Sequence, residues 1–249
     1  MAAASSPPRP ARPPASGPGG GWRAFARLTV PALAWEFLRR NPDYRTEYDA
    51  GGDLGDGDDR ALDRRWGLEF AADPLLPAEQ ASVFWRADIA PALVVDLAGD
   101  RTKSALATPS GMTREGESGV HVRLPSGLQM RLGRGGEGGG PLAVLLTFDG
   151  ELGLRLRAVD ALERTVSGRP AASSQLTPLQ RQRLARSLCA LDGALEGRSY
   201  RGIAETIFGA EAVDEGWRTS SLRDVTIRLA RTGRAMMRGG YLALLRRGL

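Results

Sequence analysis

The chain has 249 residues, 42% hydrophobic and 25% charged, enough to bury one or two ordinary cores. No stretch approaches the roughly 18 uninterrupted apolar residues of a membrane helix, and the first residues lack the apolar centre of a secretory signal, so a cytoplasmic location without membrane contact is expected. A single cysteine, Cys189, and a single histidine, His121, exclude an internal disulfide, a Cys/His zinc clasp and a cluster of histidine ligands.

The charge is unevenly spread. Lys103 is the only lysine among 34 basic residues; from Thr177 onward there are 13 arginines against 7 acidic residues, a net +6 in a chain whose total is +5. An anionic partner for the last third is one reading of that excess, and a solvated helical surface is the other.

Residues 1–21 hold six prolines among Gly, Ala and Ser and read as a disordered tail. Trp35, Phe37 and Leu38 then cluster on a short helix that Asn41-Pro42 ends, because proline disfavours helical geometry in the residue before it. A second short helix carries Tyr44 and Tyr48. Gly51 to Asp59 (GGDLGDGDD) is a loop by composition; its aspartates lack the spacing and the closing glutamate of a calcium loop.

Residues 66–85 predict turn-rich helical structure with Trp66, Phe70, Phe84 and Trp85 in the core. Beyond Pro91 the pattern becomes strands. Leu93–Leu97 is a β-branched run; Val120, Val122 and Leu124, then Leu128, Met130 and Leu132, alternate with polar residues across Pro125-Ser126-Gly127 as a half-buried antiparallel hairpin. The alternation puts His121 on the polar, exposed face. Gly133–Gly140 (GRGGEGGG) lacks the GK[ST] ending and the following helix of a phosphate loop, and reads as a flexible hairpin loop. Leu142–Phe148 is a continuous apolar strand, and Leu152, Leu156, Val159, Leu162 and Val166 follow at helical spacing.

The expected division is therefore a tail (1–21), an α+β domain of helices and a small antiparallel sheet (22–168), a linker (169–176) and an all-helical domain (177–249). In the last, Thr177-Pro178-Leu179-Gln180 supplies a capping box with proline in the first turn. The helix that follows carries Leu184, Leu188, Leu191 and Leu195 on one stripe and Arg181, Arg183 and Arg186 outside. Ser199 caps a short helix, Tyr200–Phe208, that Gly209 ends. A third helix starts near Thr219-Ser220-Ser221 and reaches about Arg238. At 100° per residue Leu222, Val225, Leu229 and Met236 face in, while Ser220, Arg223, Arg231, Arg234 and Arg238 face out.

Such a division suits a recognition helix. Arginine reads guanine O6 and N7 in pairs, and hydroxyls near a helix start reach bases or phosphates. Ile227, within the arginine stripe, can meet a thymine methyl or pack against a neighbouring domain. The connector from Gly209 to Arg218 is longer than the turn of about three or four residues in a standard helix-turn-helix. Asp53, Asp56, Asp58 and Asp59 are carboxylates without a base or a pocket signal, so no catalytic residue, metal or cofactor is expected.

The stretches WEFLRRNPDYRTEYD (35–49), FWRADIAPALVVDL (84–97), LTPLQRQRLARSLCALDGALEGRSYRGIAETIFG (176–209) and EGWRTSSLRDVTIRLARTGRAMMRGGY (215–241) resemble proteobacterial helix-turn-helix regulators carried by integrative and conjugative elements. The resemblance covers nearly everything after the tail, and GWRTSSLRD is its most specific part. It implies a two-domain variant helix-turn-helix protein that binds double-stranded DNA and activates genes for element excision and conjugative transfer. RNA polymerase or a related regulator is the implied protein partner. By motif position Arg218, Thr219, Ser220, Ser221, Arg223 and Asp224 lie at the start of the recognition helix, with Ile227, Arg231 and Arg234 further along it. The competing expectation is an antiactivator-like interaction module that binds a related regulator through the same helix. A DNA mimic should be acidic there, whereas Asp224 stands alone against Arg223, Arg228, Arg231, Arg234 and Arg238.

Overall fold

The computed structural model describes residues 21–51, 64–104, 108–133, 140–170, 176–213, 217 and 221–246. Residues 1–20 of the tail, most of the aspartate-rich loop, residues 134–139 of the glycine run, 171–175 of the linker, and Arg218, Thr219 and Ser220 lie outside them.

Trp22–Ala26 forms α1. Thr29 then caps α2 (Val30–Leu38), accepting from the Ala32 amide, and proline sits in the first turn. Eight of the nine residues of α2 are buried, so this helix is covered on all sides. Asn41 closes the gap to α3 (Pro42–Ala50): its Oδ1 accepts from the Asp43 amide at 2.9 Å.

Residues 66–85 depart from expectation. Beyond a 3-10 turn at Arg64–Trp66 they run as turns and extended chain, tied by a bridge between Leu68 and Trp85. The aromatic core assignment holds, with Trp66, Phe70, Phe84 and Trp85 all buried.

Five strands follow: β1 (Val94–Ala98), β2 (Met112–Gly116), β3 (Gly119–Arg123), β4 (Gln129–Leu132) and β5 (Ala143–Leu145), in spatial order β2-β3-β4-β1-β5. The β3/β4 hairpin forms with Val122 opposite Met130. The sheet is mixed, however, and not purely antiparallel: β1 runs parallel to β4, with Val95 beside Met130. The meander β2-β3-β4 starts at the far edge and returns to β1 in the same direction, which makes that one pair parallel.

Both faces of the sheet are covered, which corrects the placement of His121. On one side Ala158 and Leu162 of α4 (Leu152–Val166) pack on Val95, Leu97, Val122 and Met130. On the other, the 66–85 segment lies over the sheet. His121 is buried there, with ring centroids 4.9 Å from Phe70 and 6.0 Å from Phe84, and its Nε2 is 2.9 Å from Ser118 Oγ. A strand with two covered faces loses the contrast between apolar and polar positions that the alternation argument needs.

The last third is helical: α5 (Pro178–Leu195), α6 (Tyr200–Phe208), α7 (Ser221–Ala235) and α8 (Leu242–Leu245). Its packing includes the first helices of the chain. Val30, Leu33, Trp35, Phe37 and Leu38 share one core with Leu188, Leu191, Met237, Tyr241, Leu244 and Leu245. Trp22 joins a second helical core with Ala185, Ala190, Ile203, Ile207, Leu229 and Ala230.

A buried polar network fixes this union. Arg40 forms two bonds to Asp192 on α5, at 2.5 and 2.9 Å, and one to the Glu36 carboxylate at 2.6 Å. Arg39 reaches the same carboxylate at 2.7 Å, and the other Glu36 oxygen accepts from the Ala78 amide at 2.9 Å. Asn41 donates to the Met237 carbonyl at 3.1 Å. Burial pushes the Glu36 carboxyl upward, but the Arg40 and Arg39 guanidiniums outweigh it and hold the group below its ordinary value. The LRRN run that ends α2 therefore ties both ends of the described chain together.

Candidate nucleic-acid interface

The capping signals of the last third are realised in detail. Thr177 Oγ1 accepts from the Gln180 amide at 3.2 Å while the Thr177 amide donates to Gln180 Oε1 at 3.0 Å, completing the capping box that starts α5. Ser199 Oγ accepts from the Gly202 amide at 3.2 Å, and α6 ends at Gly209, whose φ of 92° lies in a region few other residues adopt.

Glycines set how closely these helices approach. A Cβ on Gly193 of α5 would stand 2.8 Å from an Ile203 carbon of α6; one on Gly233 of α7 would stand 2.5 Å from the Ser187 carbonyl oxygen of α5. Contacts this tight leave no room for a side chain. They hold α5, α6 and α7 as one unit with α7 across α5.

This approach also rotates α7 from the expected setting. Leu222, Val225 and Met236, expected to face in, are only half-buried; Thr226, Leu229, Ala230, Gly233 and Met237 are buried. Thr226 Oγ1 donates to the Leu222 carbonyl at 2.7 Å and so needs no other partner inside. Regular helix stops at Ala235, short of Arg238, and a wider turn at Met236–Gly240 follows with Gly239 at φ 120°. On α5, Leu195 is exposed and lies off the inner stripe.

The outer face of α7 is arginine-rich. Ser221, Arg223, Asp224, Arg228, Arg231 and Arg238 are exposed, and Ile227 and Arg234 are half-buried. Arg223 and Asp224 stand 3.9 Å apart at their nearest atoms, an exposed pair of small energetic value. No ion pair to Arg228, Arg231, Arg234 or Arg238 forms among the described residues. Arg223, Asp224, Ile227, Arg231 and Arg234 thus lie on one face beside Ser221. Arg228 stands at the margin of this face, whereas Arg238, placed on the same stripe by the periodicity of the sequence, is exposed in the wider turn beyond the end of α7.

The arginines of α5 fall into a different class. Arg181 donates to the Leu28 carbonyl, and the Arg186 guanidinium lies over Trp22, 4.7 Å from the ring centroid, and 5.4 Å from that of Phe208. Both are engaged with the covering α1 segment and with α6, while Arg183 remains exposed. Cys189 packs in the same helical core, where burial pushes its thiol up to about 11.

Residues 145–246 match the family model described as T6SS, transcription factor, DNA-binding domain, and residues 21–71 match the proteobacterial transcriptional regulator-like domain. No curated protein matches the chain. The first match begins inside β5 and takes in α4 through α8; the second covers α1 to α3 and the first turn beyond them. The two matches support a proteobacterial DNA-binding transcriptional regulator, and families of these two kinds are generally non-enzymatic. No helix among the described residues is long and apolar enough to cross a membrane.

Proposed function

We propose that the chain is a sequence-specific transcriptional activator that lays α7 in the major groove of double-stranded DNA. One observation carries this reading: the face of α7 opposite its buried stripe presents four arginines and one aspartate, three of the arginines outside any ion pair among the described residues. Its 15 residues give a length of about 22 Å, and the major groove, about 12 Å wide, admits a helix.

In this reading Arg223, Arg231 and Arg234 address guanine edges and Ile227 a thymine methyl. Ser221 begins α7, whose positive end favours phosphate, with Asp224 in its first turn, and the same role is expected from sequence for Arg218, Thr219 and Ser220, which lie outside the described residues. α6 is the supporting helix, and the connector after Gly209 takes the place of the short turn. The resemblance to regulators of mobile elements supports excision and conjugative-transfer genes as targets, and RNA polymerase or a related regulator as the protein partner. Residence in the cytoplasm, on the nucleoid, follows from the same reading.

The test is a gel-shift titration of the full chain on its own upstream region. Arg223→Ala combined with Arg231→Ala should weaken binding by at least about tenfold. The slope of log affinity against log salt should fall by about one for each phosphate that an arginine no longer neutralises. Affinity unchanged in the double variant overturns the assigned face.

A further inference from the structure

Arg123 ends β3, and because side chains alternate along a strand it points to the same side of the sheet as His121, the side that the 66–85 segment covers. Its guanidinium is half-buried and donates from Nη2 to the Ala81 carbonyl at 3.0 Å, with the Met112 sulfur 3.6 Å from the same nitrogen. No carboxylate pairs with it among the described residues, and burial alone pushes its pKa down. Arg131 on the neighbouring β4 is half-buried as well, yet its Nε and Nη2 meet both oxygens of Asp96, at 2.7 and 2.8 Å.

The Arg123 side chain lines a hollow of about 440 Å³ built from three parts of the chain: the joint between α1 and α2, residues 78–83 and the turn between β3 and β4. Its walls are mostly apolar, with Leu28, Pro31, Ala32, Val83 and Leu124 around it and the buried rings of Trp35 and Trp85 behind. The turn is seated on the start of α2: a Cβ on Gly127, whose φ is 92°, would stand 2.5 Å from Pro31 Cγ. Arg27, exposed at the same hollow, forms no ion pair among the described residues either. Glu79, the one acid of the lining, is exposed and pairs with neither arginine.

We propose that this hollow binds a small organic carboxylate, with Arg123 and Arg27 holding the anion and the apolar walls enclosing its body. Both contacts of Arg123 use Nη2, which leaves Nε and Nη1 unengaged among the described residues. A half-buried guanidinium with donors to spare selects an anion, and a charge-assisted hydrogen bond is the stronger kind. Apolar walls select an anion with an apolar body over a bare inorganic ion, and the volume suits a small molecule. A ligand seated there touches the sheet and also α2, which shares its core with the helical last third. No residue of α7 lines the hollow, so the site is measurable without DNA and stands apart from the reading of that helix.

Isothermal titration calorimetry of the full chain with phenylacetate, and with its neutral counterpart phenylacetamide, tests the proposal. Phenylacetate should bind saturably with a dissociation constant below about 5 mM, the range open to a ligand of this size. Phenylacetamide should bind at least about tenfold more weakly. Arg123→Gln should weaken phenylacetate by about tenfold, and Arg27→Gln, at an exposed position the fold does not depend on, by about two- to fivefold. Circular dichroism checks that both variants fold. Absence of saturable phenylacetate binding up to about 20 mM overturns the proposal; so does equal affinity for the amide, or an affinity unmoved by both substitutions.

Discussion

Arginine does two opposed jobs in this molecule, one at the end of α2 and the other along α7. Arg39 and Arg40 are buried, and every charge they carry is met by Glu36 or Asp192. The α7 arginines stand in solvent or at its margin, with Asp224 as the one acid on their face. A buried guanidinium without a carboxylate would be prohibitive, so the first set is committed to architecture. The second set costs the fold little and leaves its charge available to a polyanion.

The contrast predicts that the two sets fail differently. Arg40→Ala strands the Asp192 carboxylate and removes the link from α2 to α5, so stability should fall by about 3–5 kcal/mol in urea unfolding. Arg231→Ala should leave stability within about 0.5 kcal/mol. An Arg40 variant that unfolds like wild type would erase the distinction.

Acid should break the buried set and spare the exposed one. Glu36 titrates below its ordinary value of 4.5 in the folded chain because of its arginine partners, burial notwithstanding. A depressed carboxylate contributes stability that is fully present above the unfolded value and is lost as pH falls through the folded one. Glu36→Gln cannot titrate. It should therefore be much less stable than wild type at neutral pH, and the gap between the two urea midpoints should narrow once the pH drops below about 4.5. A gap that stays constant down to about pH 3 would mean that Glu36 titrates alike in both states.

The legible parts of the fold are those with local causes. Thr177, Ser199 and Gly209 set helix ends from within their own turns, and the hairpin around Ser126-Gly127 follows from alternation on two adjacent strands. What was not legible depends on distant partners. Arg40 and Asp192 lie 152 positions apart, and nothing in LRRN says that it closes against α5. The cover of Trp22 over Arg186 has the same character, as does the parallel pairing of β1 with β4. The rotation of α7 has a packing cause: a hydrophobicity argument selects Leu222, Val225 and Met236, whereas a close crossing selects small residues such as Ala230 and Gly233. The arginine face survived this error because it is broad enough to stay outside after the rotation. Residues 142–148 read as one continuous strand because they lack a charged break, whereas β5 spans only Ala143–Leu145 and Val144, Leu145, Leu146 and Phe148 are exposed, since only β1 pairs with this edge.

The smallest expected effect separates two roles for Asp224. As the acid among the α7 arginines, it neutralises part of their field and stands 3.9 Å from Arg223. Near the start of a helix it also stabilises the helix slightly, by about 0.3–1 kcal/mol, and this is lost in Asp224→Asn. Removing the charge from an otherwise cationic face should strengthen binding to any duplex by about two- to fivefold, the worth of one screened charge at close range. That gain should appear equally on the upstream region and on unrelated DNA, measured in parallel titrations at one salt concentration. A carboxylate that accepts from cytosine N4 would give the opposite pattern, with affinity lost on the specific site alone. That result would move Asp224 from moderating the arginine face to reading sequence through it.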